Sequence, residues 1–171
     1  MSVALHNAPP VWSNQDLVVY HGTLYSHAQT IQRQGVNPAL ERARTDFGCG
    51  FYTTTSLRQA KSWAWLLAAQ SGSAAGVVTL TCPREKLATL ETLAFVRGDY
   101  DAEDFWSFVF HCRQGKPYHG RAVGSGWYDV VSGPVAAFWA QRSAMVDSDQ
   151  FSFHTPQAAA ALTVTNIQKF P

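Results

Sequence analysis

Apolar positions fall in short runs broken by Gly, Pro, Ser and Asn, and in a few longer stretches where they recur every three or four residues. The short runs predict strands at 16–20, 50–54, 76–82, 128–131, 150–153 and 162–167. The longer stretches predict helices at 26–34, 56–70 and 101–112. The second of these is the most regular: Leu57, Ala60, Ala64 and Leu67 share one face, and Ser71-Gly72-Ser73 stops it. Ser26 is expected to cap the first helix and Gly35 to end it. Shorter helices are expected at 135–142 and 155–161, the latter with Thr155 as cap and Pro156 at its first position. Residues 87–95 fit helix or strand equally well, and 36–48 and 114–126 read as loops. Residues 1–14, with Pro9-Pro10, read as a loose arm before a single domain at 15–171. Strands outnumber helices and alternate with them irregularly, which points to an α+β fold rather than a doubly wound sheet.

Composition narrows the function classes. Of 171 residues, 46% are hydrophobic and 15% charged, which argues against a disordered chain. The net charge of +1 gives no long-range field toward nucleic acid or membrane. Arg33, Arg42 and Arg44 still allow a local basic patch. Cys49, Cys82 and Cys112 form no CxxC pair and fit a reducing compartment better than a disulfide framework. No zinc spacing is visible among the scattered His residues, so no metal is expected. The first ten residues lack a charged n-region and an apolar h-region, and no window is apolar enough to span a membrane. The expected location is cytoplasmic, or delivery into a target cell without a classical signal peptide.

Candidate chemistry lies in three pieces. Tyr20-His21-Gly22-Thr23 ends an apolar strand, setting an imidazole beside a backbone that a ligand can approach closely. A histidine closing a strand before a turn accounts for the same residues. Gly50-Phe51-Tyr52-Thr53-Thr54 offers a ring beside the Gly48-Cys49-Gly50 loop, and Trp63 follows Tyr52 by eleven residues. Two such rings can sandwich a flat cationic heterocycle, although a helix Trp is commonly core and Trp65 competes for the role. The third piece, Gln150-Phe151-Ser152-Phe153-His154-Thr155, places an amide at a strand start. His154 there also fits a cap for the helix that follows.

In this order the pieces resemble the ADP-ribosyltransferases of the diphtheria-toxin and poly-ADP-ribose-polymerase class, which carry a His-Tyr-Glu triad. The chain is most similar to a bacterial ADP-ribosyltransferase-like family of uncharacterised domains. That likeness rests on Tyr20-His21-Gly22, Asp46 to Thr54, Gln59 to Ala64, Tyr128 to Ala136 and Gln150 to Thr155, across roughly 17–165. It implies a split, strongly bent mixed β-sheet of six or seven strands with flanking helices. The cleft would lie between the strands at 17–21 and 50–54. It implies NAD as substrate and no metal. His21 would bond the adenine-side ribose, and the Gly22 backbone would fix the nicotinamide carboxamide. Tyr52 would stack on nicotinamide, Trp63 would close the other face, and Thr23 and Thr53 to Thr55 would line the pocket. His21, Tyr52 and Gln150 would then converge as the catalytic group around one cleft. Gln150 stands where the wider class has Glu; it can accept a bond from a ribose hydroxyl but carries no charge. Asp129, Asp147 and Asp149 are candidates for the missing carboxylate.

The function so implied is a mono-ADP-ribosyltransferase that breaks the nicotinamide–ribose bond of NAD and transfers ADP-ribose to a macromolecular acceptor, protein or nucleic acid. It would act as a bacterial toxin, effector or toxin–antitoxin component, with an antitoxin or immunity protein as candidate partner. An NAD glycohydrolase and a degenerate NAD- or ADP-ribose-binding module are the competing readings.

Overall fold

A computed structural model describes residues 15–40, 44–96, 103–116, 118–120 and 126–170. The N-terminal arm, Arg42 and most of the loop after Tyr118 fall outside the described residues. The chain forms β1 (Leu17–Leu24), α1 (Tyr25–Gln34), β2 (Phe51–Thr53), α2 (Leu57–Ser71), β3 (Ala75–Cys82), α3 (Arg84–Leu87) and β4 (Thr92–Ala94). Then follow α4 (Glu103–Arg113), β5 (Val130–Gly133), β6 (Gln150–Phe153), α5 (Pro156–Ala160) and β7 (Thr163–Phe170). The fold is α+β.

Two sheets share the seven strands. β1, β3 and β7 form an antiparallel sheet in that order. The other sheet runs β2-β6-β5-β4, antiparallel except for the parallel β4–β5 pair. One bridge joins them: Tyr20 N–H donates to Thr54 C=O at 2.8 Å, and Thr54 N–H to Tyr20 C=O at 3.0 Å. Among the described residues this is the one pairing between the two sheets, so the mixed sheet is split at this seam.

Three apolar clusters hold the halves. Val19, Val78 and Leu80 pack with Phe51, Phe153, Ala28 of α1 and Ala158 of α5. Phe47, Val131 and Ala136 pack with Phe105, Trp106 and Val109 of α4. Ala60 and Ala64 of α2 lie on Ala75 and Val77 of β3. The small side chains of α2 let it approach closely. A Cβ on Gly22 of β1 would stand 2.0 Å from the Ala60 carbonyl oxygen, so only glycine fits beneath this helix.

Local signals account for most ends. Ser56 caps α2 by accepting from Gln59 N–H, and Thr155 caps α5 by accepting from Ala158 N–H. Gly35, at φ 81°, ends α1. Four expectations need correction. Ser26 does not cap α1, which starts a residue earlier with Leu24 at the cap position and no side-chain bond. The helix expected at 135–142 is a single 3₁₀ turn at Trp139–Gln141. Residues 87–95 hold the end of α3 and all of β4. β1 and β7 are longer than their apolar runs, because pairing with β3 carries the polar residues into the sheet.

Candidate functional site

The seam between β1 and β2 organises the site. In an antiparallel sheet, alternate residues direct both backbone polar groups to the same side. Tyr20 directs its pair toward β2, at Thr54. Tyr25, of opposite parity, donates toward the β3 side, to Ala74 C=O at 2.8 Å. Gly22 therefore points its N–H and C=O to the β2 side, beyond the place where β2 has parted from β1. His21 fills the gap. Its Nδ1–H donates to Tyr52 C=O at 2.7 Å, and its ring stacks on Phe51 with centroids 4.4 Å apart. A carbonyl only accepts, so Nδ1 carries the proton and Nε2 is left as an acceptor. Burial lowers the His21 pKa to about 4, outweighing the bond to Tyr52, and His27 lowers it further. The ring is neutral at pH 7.

Tyr52 is held by its hydroxyl. It accepts from Phe47 N–H at 2.9 Å, donates to Gly48 C=O at 2.8 Å and lies 2.7 Å from the Thr45 hydroxyl. These bonds fasten the turn that opens the Asp46-Phe47-Gly48 motif. Burial raises the phenol's pKa, so it does not ionise near neutral pH. Tyr52 as a whole is half-buried, and its ring stacks beside Phe47 with centroids 6.4 Å apart.

Gln150 belongs to a buried polar hub. Its amide donates to Asp46 Oδ2 at 2.7 Å and to Pro134 C=O at 3.0 Å. Both partners are acceptors, which fixes the amide orientation. Ala136 N–H donates to the same Asp46 oxygen at 2.8 Å. Arg113 of α4 reaches the other, through Nε at 2.9 Å and Nη2 at 2.6 Å. Asp46 is 4% exposed. A carboxylate so buried requires this set of donors.

A family model matches residues 17–140, nearly three quarters of the chain. The chain belongs to the DUF3990 family. The family's description is protein of unknown function, and no curated protein matches the chain. The DUF3990 span contains His21, Gly22, Asp46, Tyr52, Trp63, Arg113 and Pro134, and ends before Gln150.

Convergence of the three expected catalytic residues is partial. Tyr52 pairs with Ser152 across β2 and β6, so Tyr52, Ser152 and Gln150 share one face. The His21 ring lies on Phe51, which alternation puts on the other face. Backbone bonding thus brings His21 to Tyr52, while Gln150 meets Asp46 instead of His21. Trp63 is 55% exposed on α2, and no ring contact joins it to Tyr52. Thr53 is buried with its hydroxyl donating to Phe151 C=O at 3.1 Å, and Thr23 is buried in β1. Thr54 and Thr55 both donate to Asp149, tying β6 to the start of α2. Asp149 and Asp129, two of the candidate replacement carboxylates, therefore serve structure. Asp129 accepts from Glu91 N–H at 2.9 Å and from the Thr155 hydroxyl. His154 does not cap α5; it meets Cys49 C=O at 2.8 Å and stacks on Trp127. A groove of about 600 Å³ lies on α2, lined by Leu57, Arg58, Lys61, Ser62 and Trp65, and includes none of the three. Among the described residues, no group of three or more His, Cys, Asp or Glu side chains could hold a metal ion. Nor is any helix there long and apolar enough to cross a membrane.

The hub escaped the sequence because the partners of Asp46 lie 67 to 104 residues from it. The available signal was a lone acid, Asp46, ahead of an aromatic and glycine-rich stretch.

Proposed function

We propose that this chain is an NAD-dependent mono-ADP-ribosyltransferase, cleaving the nicotinamide–ribose bond and passing ADP-ribose to a macromolecular acceptor. One observation carries the reading: at the β1–β2 seam, Gly22 directs an N–H and a C=O away from β3, beside a neutral His21 that is bonded to the Tyr52 backbone carbonyl. A primary carboxamide has the complementary acceptor and donors. His21 Nε2 is an acceptor for a ribose hydroxyl. Tyr52 offers a ring face to the cationic pyridinium, and exposed Trp63 is available for the other face.

In the reaction the C–N bond breaks and its electron pair neutralises the pyridinium, so the leaving group needs no general acid. Positive charge grows on the ribose, and fixed dipoles stabilise it. Gln150 Oε1, held by the two bonds of its amide, is the acceptor for the ribose 2′-hydroxyl. Thr23 is the nearest β1 hydroxyl to Gly22 in sequence. A toxin, effector or toxin–antitoxin role, with a neutralising partner, belongs to the same proposal.

Hydrolysis of NAD is the second reading, favoured by the neutrality of Gln150 and the full engagement of Asp46. Both leave the third position without a free base for a weakly acidic acceptor, whereas water needs none. Purified protein with labelled NAD, with and without cell lysate, separates the two. Nicotinamide release only with lysate, and label on protein or nucleic acid, supports transfer. Release from NAD alone supports hydrolysis. Binding without release reduces the chain to an NAD-binding module, and no binding refutes the site.

A further inference from the structure

The face of α2 turned from the sheet carries Arg58, Lys61, Ser62 and Trp65, spaced at three, four and seven as one stripe. With Leu57 they line the open groove of about 600 Å³, a volume in the range of small-ligand sites. Trp65 is 57% exposed. Trp63 lies about 200° round the helix from it, so the two indoles serve different surfaces. No Asp or Glu occurs between Leu57 and Ser71. Asp149, at the helix start, is engaged by Thr54 and Thr55. Lys61 Nζ sits 4.8 Å from the centre of the Phe170 ring, which steadies the ammonium beside the groove. Lys61 lies about 6 Å before Trp65 along the helix axis, and Arg58 about 10 Å.

We infer that this groove binds single-stranded nucleic acid, with Trp65 stacking a base and Arg58 and Lys61 meeting phosphates. The charge is complementary, and the spacing lets one indole and two cations follow successive units of a strand. An acidic peptide would also satisfy the cations, and competition with polyglutamate separates it from a strand. That the bound strand is the acceptor of ADP-ribose rests on the function proposed above; the binding itself does not.

The test is fluorescence anisotropy of the full chain with a labelled 12-nucleotide oligothymidylate or oligoadenylate, at 50 and 200 mM salt. Saturable binding is expected, displaced by unlabelled oligonucleotide and not by polyglutamate of equal charge. Trp65→Ala should weaken it on the order of tenfold or more. The pair Arg58→Ala and Lys61→Ala should reduce the slope of log affinity against log salt by about 1.4, roughly 0.7 per lost phosphate contact. All three side chains are on the surface, so the variants should fold, which a thermal melt verifies. No binding, an unchanged affinity in Trp65→Ala, or equal displacement by polyglutamate overturns the inference; the last would assign the groove to an acidic partner. Nicotinamide release from NAD alone and with lysate is followed on the same preparation. Its absence with oligonucleotide binding intact counts against the NAD chemistry only. Its presence with binding absent counts against the groove only.

Discussion

Gln150→Glu tests the hub most directly. A bare charge argument expects this change to keep or raise NAD cleavage, because Glu stands here in the wider class that the chain resembles. The contacts give a different expectation for stability. The amide donates to Asp46 Oδ2 at 2.7 Å and to Pro134 C=O at 3.0 Å. An ionised carboxylate at this position would turn oxygen toward both acceptors. Two buried carboxylates in contact do not both ionise, so the introduced carboxyl should take up a proton, its pKa raised in the folded state. Keeping a group of unfolded pKa about 4.3 protonated at pH 7 costs up to about 3.7 kcal/mol, falling to about 1 kcal/mol at pH 5. A protonated carboxyl has one O–H where the amide has two N–H groups, which adds about 1 kcal/mol independent of pH. The sign follows: the folded variant binds more protons than the unfolded one, so its deficit grows as pH rises above 4.3. Urea melts of wild type and variant between pH 5 and 7.5 should show a gap of roughly 4–5 kcal/mol at neutrality that shrinks by more than half at pH 5. Asp46→Asn in the same chain removes the second charge and should recover part of the loss, with a coupling of at least about 1.5 kcal/mol. A pH-independent gap, or strict additivity of the two substitutions, would refute the Asp46–Gln150 contact. Nicotinamide release by Gln150→Glu is informative only at a pH where the variant is folded.

Strands were legible where apolar runs supply them and illegible where a partner does. Val77 to Thr81 announces β3, but Asn166, Gln168 and Lys169 enter β7 only because β3 lies alongside. β1 outruns its apolar run for the same reason, since His21 to Leu24 pair with Ala75 to Val78 of β3. The helix expected at 135–142 had helix-forming residues, yet Phe138 and Ser143 close a short bridge around a single turn. At the site, His21 and Tyr52 were placed together by motif order. Which face Gln150 shares depends on the pairing of Tyr52 with Ser152, and a shift of one residue would have reversed it. The partner of Gln150 was invisible because only the fold brings Asp46, Arg113 and Pro134 together.

Four further outcomes are expected. Gly22→Ala, whose Cβ would meet the Ala60 carbonyl oxygen at 2.0 Å, should lower stability by about 1–3 kcal/mol or more as α2 shifts; an unchanged melt would refute that packing. Tyr52→Phe should cost about 1–3 kcal/mol by stranding Phe47 N–H, since Gly48 C=O keeps its bond from the Thr45 hydroxyl, while retaining NAD affinity that Tyr52→Ala loses; equal affinity in both variants would exclude stacking. Trp63→Ala should change stability by no more than about 0.5 kcal/mol, given its exposure, yet weaken NAD binding; unaltered binding in a titration would remove Trp63 from the site. The last outcome concerns acid. Burial holds the pKa of His21 down to about 4 and that of His154 to about 3, with His119 adding to the second. Unfolded, both titrate near 6.5. Between about pH 6 and pH 4.5 the unfolded chain therefore binds up to two more protons than the native one at these sites. The stability they contribute is present above pH 6.5 and is lost as pH falls, at up to about 2.7 kcal/mol per pH unit. Over this window the loss amounts to at most about 4 kcal/mol, a large fraction of a native stability of about 5–15 kcal/mol. His154→Leu removes one of the two groups, so its stability should fall about half as steeply over this range, whatever the lost bond to Cys49 costs at neutral pH. Parallel curves for wild type and variant would show that His154 is protonated in the native state and is not the buried neutral ring described between Trp127 and His119.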